Sequence, residues 1–220
     1  MAVRPIYNRN FFDVIDTEEK AYFLGILYSD GCILPKEHKI QLHMCDLDVL
    51  EKFKKALDHP GNILYPKRYS ETRKQSYKFQ VFGKEMVKAL VGHGCTPRKS
   101  NTLEAPKTVP SELIRHFIRG YFDGDGCISL HTRSRGTKEV SVSVAGTKSV
   151  MSFIRDNLII NDIKCGVPTK HKFGEVAHYI DIYKNSVIDF AQYLYNNSSV
   201  WMDRKYDKFV NLASETHGGY

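Results

Sequence analysis

Nowhere in this 220-residue chain do about 18 apolar residues run together, which excludes a helical membrane span at the level of sequence. The opening MAVRPIYNRNFF has no long apolar segment either, so no signal peptide is expected and the chain is expected to work inside a cell. Cysteine is sparse. Cys32, Cys45, Cys95, Cys127 and Cys165 are odd in number and none stands in a CxxC spacing, which argues against a disulfide framework or a zinc site. They read as core thiols in a reducing compartment.

What the chain does have is a modest basic excess. Lys and Arg number 32 against 25 Asp and Glu, for a net charge of +7 and a pI near 9.0. That balance suits a polyanionic partner but is shared by many proteins without one.

The sequence is also written twice. Asp30 and Asp125 each stand in Asp-Gly-Cys-Ile, each behind a helix-length apolar run, about a hundred residues apart. IQLHMCDLDVLEKFKKAL (40–57) then pairs with VSVSVAGTKSVMSFIRDNL (140–158), YKFQVF (77–82) with HYIDIY (178–183), and PRKS (97–100) with DRKY (203–206). Two units result, 1–95 and 111–220, joined by a connector over 96–110 whose Pro97, Pro106 and Pro110 give it linker composition.

Each unit reads α-β-β-α-β-β-α, an α+β class. Asp16 or Thr17 starts a helix that Gly31 stops, and Pro110 with Ser111 opens its counterpart. Ile40, Leu42 and Met44 alternate with Lys39, Gln41 and His43, as Val140, Val142 and Val144 do with Ser141 and Ser143. Asp46 or Asp48 in one unit, and Thr147 in the other, are placed to cap the second helix.

Gly25 and Ser29 in the first helix, and Gly120 and Gly124 in its partner, are small residues at i and i+4, so the two helices can meet backbone to backbone. A glycine inside a helix costs about 0.5–1 kcal/mol against alanine. A cost repeated at matched positions implies that the contact is needed. Asp30 and Asp125 then lie at adjacent helix C-termini, where each dipole disfavours an anion by about 0.3–1 kcal/mol. Two carboxylates held there call for a cation, and oxygen donors of this kind suit Mg²⁺, with Mn²⁺ or Ca²⁺ as alternative occupants.

FLGILYSDG (23–31) and IRGYFDGDG (118–126) resemble the two signature motifs of the LAGLIDADG homing endonucleases in their single-chain form. The resemblance covers both repeats. It implies a saddle of two four-stranded antiparallel sheets over a long double-stranded DNA site, and a monomer that cuts both strands with a divalent metal. By motif position, Asp30 and Asp125 are the metal-binding acids, with the carbonyls of Ser29 and Gly124 beside them. Lys99 and Lys205 resemble the family's basic residues near each scissile phosphate. Tyr28 replaces the motif's earlier acid, which is Asp123 in the second unit.

The resemblance also places DNA against the sheets. Lys39, Gln41, His43, Lys78 and Gln80 in one unit, and Ser141, Ser143, Asp181 and Tyr183 in the other, would then face base edges. Arg68 and Arg73, Arg133 and Arg135, and Lys170 and Lys172 lie in basic loops suited to phosphates. The two faces differ, so an asymmetric target is expected. Alternatives on the same fold are an RNA maturase acting on its host intron and a DNA-binding regulator without activity. The chain shows no protein-splicing segments, so it is expected to be free-standing or intron-encoded, in a prokaryotic cytoplasm, a phage-infected cell or an organelle.

Overall fold

Thr17 has extended backbone and its hydroxyl accepts the Lys20 N–H, so helix α1 begins at Glu18 and runs to Ser29. The computed structural model describes residues 6–68, 70–97, 101–132, 138–172, 177–183 and 186–217. After α1 come β1 (Gly31–Leu34), a 3₁₀ turn at Pro35–Glu37, β2 (Lys39–Met44), α2 (Leu47–Ala56), β3 (Tyr77–Phe82) and α3 (Lys84–Gly92). The second half follows with α4 (Ile114–Asp125), β4 (Gly126–Thr132), β5 (Lys138–Gly146), α5 (Lys148–Ile160), β6 (Thr169–Lys170), β7 (His178–Tyr183), α6 (Ser186–Tyr195) and α7 (Asp203–His217).

Both sheets are antiparallel, ordered β1-β2-β3 and β4-β5-β7-β6. Period-two alternation decides their faces. Ile40, Leu42, Phe79 and Val81 turn into the core of the first half, and Val142, Val144, Ile180 and Ile182 into that of the second. Gln41 opposite Gln80, and Ser143 opposite Asp181, are left on the outer faces.

α1 and α4 lie in the middle of the molecule. Every residue from Ala21 to Tyr28 and from His116 to Asp123 is buried, as expected of helices covered on all sides. The two pack against each other along their lengths.

Four features depart from the sequence reading. Among the described residues the first sheet has three strands, not four. Where the fourth was expected, Leu64 and Lys78 make a single antiparallel bridge, with N–H to O distances of 2.8 and 2.9 Å. Pro66 follows two residues on and has no N–H to continue a ladder. The second half carries α7 beyond the repeat pattern, and DRKY forms its first turn. Finally, only Cys95 is a core thiol. Cys32, Cys45 and Cys127 are exposed and Cys165 is partly buried, because Cys32 and Cys127 fall on the outward beat of β1 and β4, opposite Gln41 and Ser143. Asp46 also departs from its expected role: it precedes α2 without a capping bond and pairs with Arg204 instead. Among the described residues no helix is long and apolar enough to cross a membrane.

Candidate active site at the paired helix ends

The small residues of α1 and α4 do what their spacing predicts. A Cβ on Gly25 would strike the Phe117 carbonyl and stand 2.7 Å from the Tyr121 nitrogen, and one on Gly120 would strike the Tyr22 carbonyl. One turn further on, a Cβ on Gly124 would strike the Ser29 hydroxyl and lie 2.8 Å from Asp30 Oδ2. The backbones therefore touch, and the touching continues to the helix ends. Asp30 is the C-cap of α1 and Asp125 the last residue of α4.

Asp30 is partly buried and Asp125 exposed. Their charges reach the same two neighbours. Burial raises the Tyr121 hydroxyl's proton affinity far above the usual phenol range, and both carboxylates add to it. Burial lowers Lys205 to about 8, opposed by Asp123, Asp30 and Asp125 and assisted by Arg204. Lys205 is only 3% exposed, and its Nζ donates to the Phe122 carbonyl, reaches the Gly124 carbonyl at 3.4 Å and lies 4.8 Å from the centre of the Phe122 ring. The lysine paired with it by sequence, Lys99, lies outside the described residues.

The donor set fits a hard divalent ion. Among the described residues no group of three or more His, Cys, Asp or Glu could hold a metal, so the chain brings two carboxylates and nearby carbonyls. Mg²⁺ keeps several waters and is commonly held by one or two carboxylates together with substrate phosphates. The Ser29 hydroxyl donates to the Ile26 carbonyl at 3.0 Å. A cavity of about 280 Å³, lined by Tyr28, Ser29, Tyr121, Asp125, Leu103 and Thr147, opens beside Asp125 and has room for several waters.

Asp123 is fully buried and is not part of this donor set. It accepts Tyr22 Oη at 2.8 Å, Tyr195 Oη at 2.5 Å and the Met202 N–H at 2.8 Å, and burial nonetheless raises its pKa. Tyr28, at the matching position, donates instead to the His93 carbonyl at 2.5 Å.

Arg119, within the IRGYFDGDG stretch, is completely buried. Its Nε donates to the Val200 carbonyl at 2.8 Å and its Nη2 to Glu18 Oε1 of the other half at 2.7 Å, while the two N–H groups of Nη1 face the Leu194 carbonyl, Ser198 Oγ and His116 Nδ1, each at 2.8 Å. An arginine can only donate, so a bond from Nη1 to His116 Nδ1 requires that nitrogen to be unprotonated. Burial first, then the Arg119 charge, lowers His116 to about 4, with Glu18 opposing. The unfolded chain takes up a proton on this ring near the ordinary 6.5, so stability is complete above that pH and is lost as pH falls toward 4. Urea unfolding at pH 7 and pH 5 should show a loss on the order of 1–2 kcal/mol that His116→Gln largely removes.

The residues expected to read DNA lie on the outer faces where the structure describes them. Gln80 Nε2 donates to Gln41 Oε1 at 2.8 Å, His43 bonds Ser76 at 3.0 Å, and Lys39 pairs with Glu37. In the second half Tyr183 donates to Asp181 at 2.8 Å and Ser141 meets His131 at 3.1 Å, with Ser143 beside them on β5. Arg68, Arg73, Lys170 and Lys172 are exposed and Lys78 is partly buried. Arg133 and Arg135 lie outside the described residues. Cys32, Cys127, Ser129 and His131 share the outer faces and were not singled out from sequence. The alternation in GCISLHT held the signal for three of them.

Residues 112–156 match the LAGLIDADG-like domain family. The crystal structure of the LAGLIDADG homing endonuclease I-GzeII in complex with its DNA target superposes with a TM-score of 0.56 at 14% identity, over 90% of this chain and 92% of that one. The chain has the LAGLIDADG homing-endonuclease fold. I-LtrWI, another LAGLIDADG homing endonuclease bound to target DNA, gives 0.56 at 14% identity over 96% of this chain and 92% of its own. A stretch of 118 residues, 50% of the chain, is 27% identical to a probable translation initiation factor IF-2 of Methanocaldococcus jannaschii, of whose length the chain covers 9%. Within the LAGLIDADG fold, the paired motif helices are α1 and α4.

Proposed function

We propose that this chain is a divalent-metal-dependent endonuclease that cuts both strands of a long, asymmetric DNA site. The observation that carries the reading is the pairing of Asp30 and Asp125 at two touching helix ends, with both charges felt by the buried Lys205. One chain supplies both motif helices, so a monomer suffices. The DNA-bound state of I-GzeII and I-LtrWI supports DNA as the partner.

In this reading Asp30 and Asp125 hold Mg²⁺, with the carbonyls of Ser29 and Gly124 beside them. When bound, the ion would activate water for attack at phosphorus and stabilise the oxygens of the displacement. Lys205 donates toward the same helix end. An ammonium whose pKa is lowered to about 8 can stabilise phosphate charge and can release its proton near neutral pH. Lys99 takes the matching role in the first half. Gln41, Gln80, His43 and Lys78 on one face, and Ser141, Ser143 and Asp181 on the other, offer different donor and acceptor sets, which makes the site asymmetric.

Cleavage of a randomised duplex library in Mg²⁺, with and without a chelator, tests the reading. The expected result is one long non-palindromic site whose cutting falls by about a thousandfold on chelation. A library left intact in Mg²⁺, or cutting that survives chelation, would overturn it.

A further inference from the structure

The segment that enters α7 is tied to both halves of the molecule at almost every residue. From the first half, Glu18 accepts the Ser199 N–H at 2.7 Å, Lys52 donates to the Trp201 carbonyl at 2.7 Å and to Asp203 at 2.6 Å, and Asp46 takes Arg204 in a fork at 2.7 and 3.0 Å. From the second half, Arg119 holds the Val200 carbonyl at 2.8 Å and Asp123 holds the Met202 N–H at 2.8 Å. Lys205 lies one helical turn past Met202, and its N–H bonds back to the Met202 carbonyl at 3.1 Å.

Asp123 differs from the other ties in where it stands. It sits two residues before Asp125 on α4, so one turn of one helix carries a proposed metal ligand and the anchor of the segment bearing the lysine. Tyr28 does the corresponding job in the first half with different chemistry, closing onto the His93 carbonyl just after α3. A carboxylate and a phenol have little in common as ligands. What they share is a bond to backbone of their own half, after α3 in the first and after α6 in the second.

We propose that Asp123 is a positioning residue for the nuclease reaction: by holding the Met202 N–H it fixes the start of α7 and so places Lys205 Nζ over the Phe122 and Gly124 carbonyls, beside Asp125. This rests on the nuclease reading above for its reaction, but not for its geometry. Three variants separate positioning from simple satisfaction of the buried tyrosines. Asp123→Asn keeps an oxygen for Met202. Asp123→Ala removes it. The triple variant Asp123→Ala/Tyr22→Phe/Tyr195→Phe also removes the two hydroxyls that would otherwise be left without an acceptor, so it remains usable should the single alanine variant fail to fold.

Two readouts are needed. Acylation of lysines on the whole chain without DNA, quantified by mass spectrometry against exposed lysines of the same sample, should show Lys205 protected in wild type and Asp123→Asn. Its labelling should rise about tenfold in whichever alanine variant is folded, through local release of the segment. Single-turnover cleavage of the duplex selected from the library should fall about a hundredfold in that variant with DNA affinity unchanged, because a misplacement of about 1 Å is enough for such a loss, and Asp123→Asn should restore most of it. A folded alanine variant in which Lys205 stays protected would overturn the positioning role whatever the cleavage result. A released Lys205 with undiminished cleavage would confine Asp123 to structure. A wild-type chain that cuts no duplex overturns the nuclease reading instead, and the labelling still judges the placement.

Discussion

Gly120→Val is expected to cost more than about 4 kcal/mol and to leave little folded protein. Adding bulk to a packed core usually costs about 1–3 kcal/mol because side chains can shift. Here the obstacle is backbone: the new Cβ would meet the Tyr22 carbonyl, with the Ile26 nitrogen at 3.1 Å. Neither helix can retreat alone, because α1 and α4 are both buried along the contact. Gly25→Val should behave alike, since its Cβ would meet the Phe117 carbonyl. Urea unfolding followed by circular dichroism checks this, and a wild-type midpoint for either variant would show that the helices do not touch.

Arg119→Ala is expected to destabilise by about 3–5 kcal/mol, the range for breaking a buried ion pair by removing one partner. The guanidinium ties Glu18 of α1 to the carbonyls of Leu194 and Val200 and to Ser198, so its removal leaves acceptors on both halves without their donor. The double variant Glu18→Ala/Arg119→Ala should cost clearly less than the two single losses added together, as coupled partners do. Added salt should reduce the cost only in part, because the guanidinium is fully buried while Glu18 is partly exposed. A loss below about 1 kcal/mol in Arg119→Ala would contradict the network.

The centre of this molecule was legible because its signals are local and repeated. Gly25, Ser29, Gly120 and Gly124 mark a helix contact through their spacing alone, and the alternation around Ile40 and Val142 sets which sheet face is apolar. Asp30 and Asp125 follow from the helix ends. What sequence did not yield depends on partners distant along the chain. Asp123 looks like an auxiliary acid until Tyr22, Tyr195 and Met202 close around it. Lys205 is marked in DRKY only by resemblance, and its burial comes from α7, which turns it onto the end of α4. Arg119 stands inside IRGYFDGDG, but its guanidinium leaves the helix contact and reaches the α6–α7 segment. In the first half, Pro66 interrupts a strand that the repeat alone would have continued.

In the proposed centre, one carboxylate from each of two touching helices completes a single metal-dependent site. Its most direct measurement is the conversion of a supercoiled plasmid carrying the selected site to linear DNA in Mg²⁺ by wild type, Asp30→Asn and Asp125→Asn, with binding to the same duplex measured in parallel. Asparagine matches the size of aspartate and replaces the charged carboxylate with a neutral amide that keeps one oxygen. Each variant should bind DNA within about threefold of wild type and linearise it about a thousandfold more slowly. Undiminished linearisation by both variants would contradict the assignment of the two carboxylates.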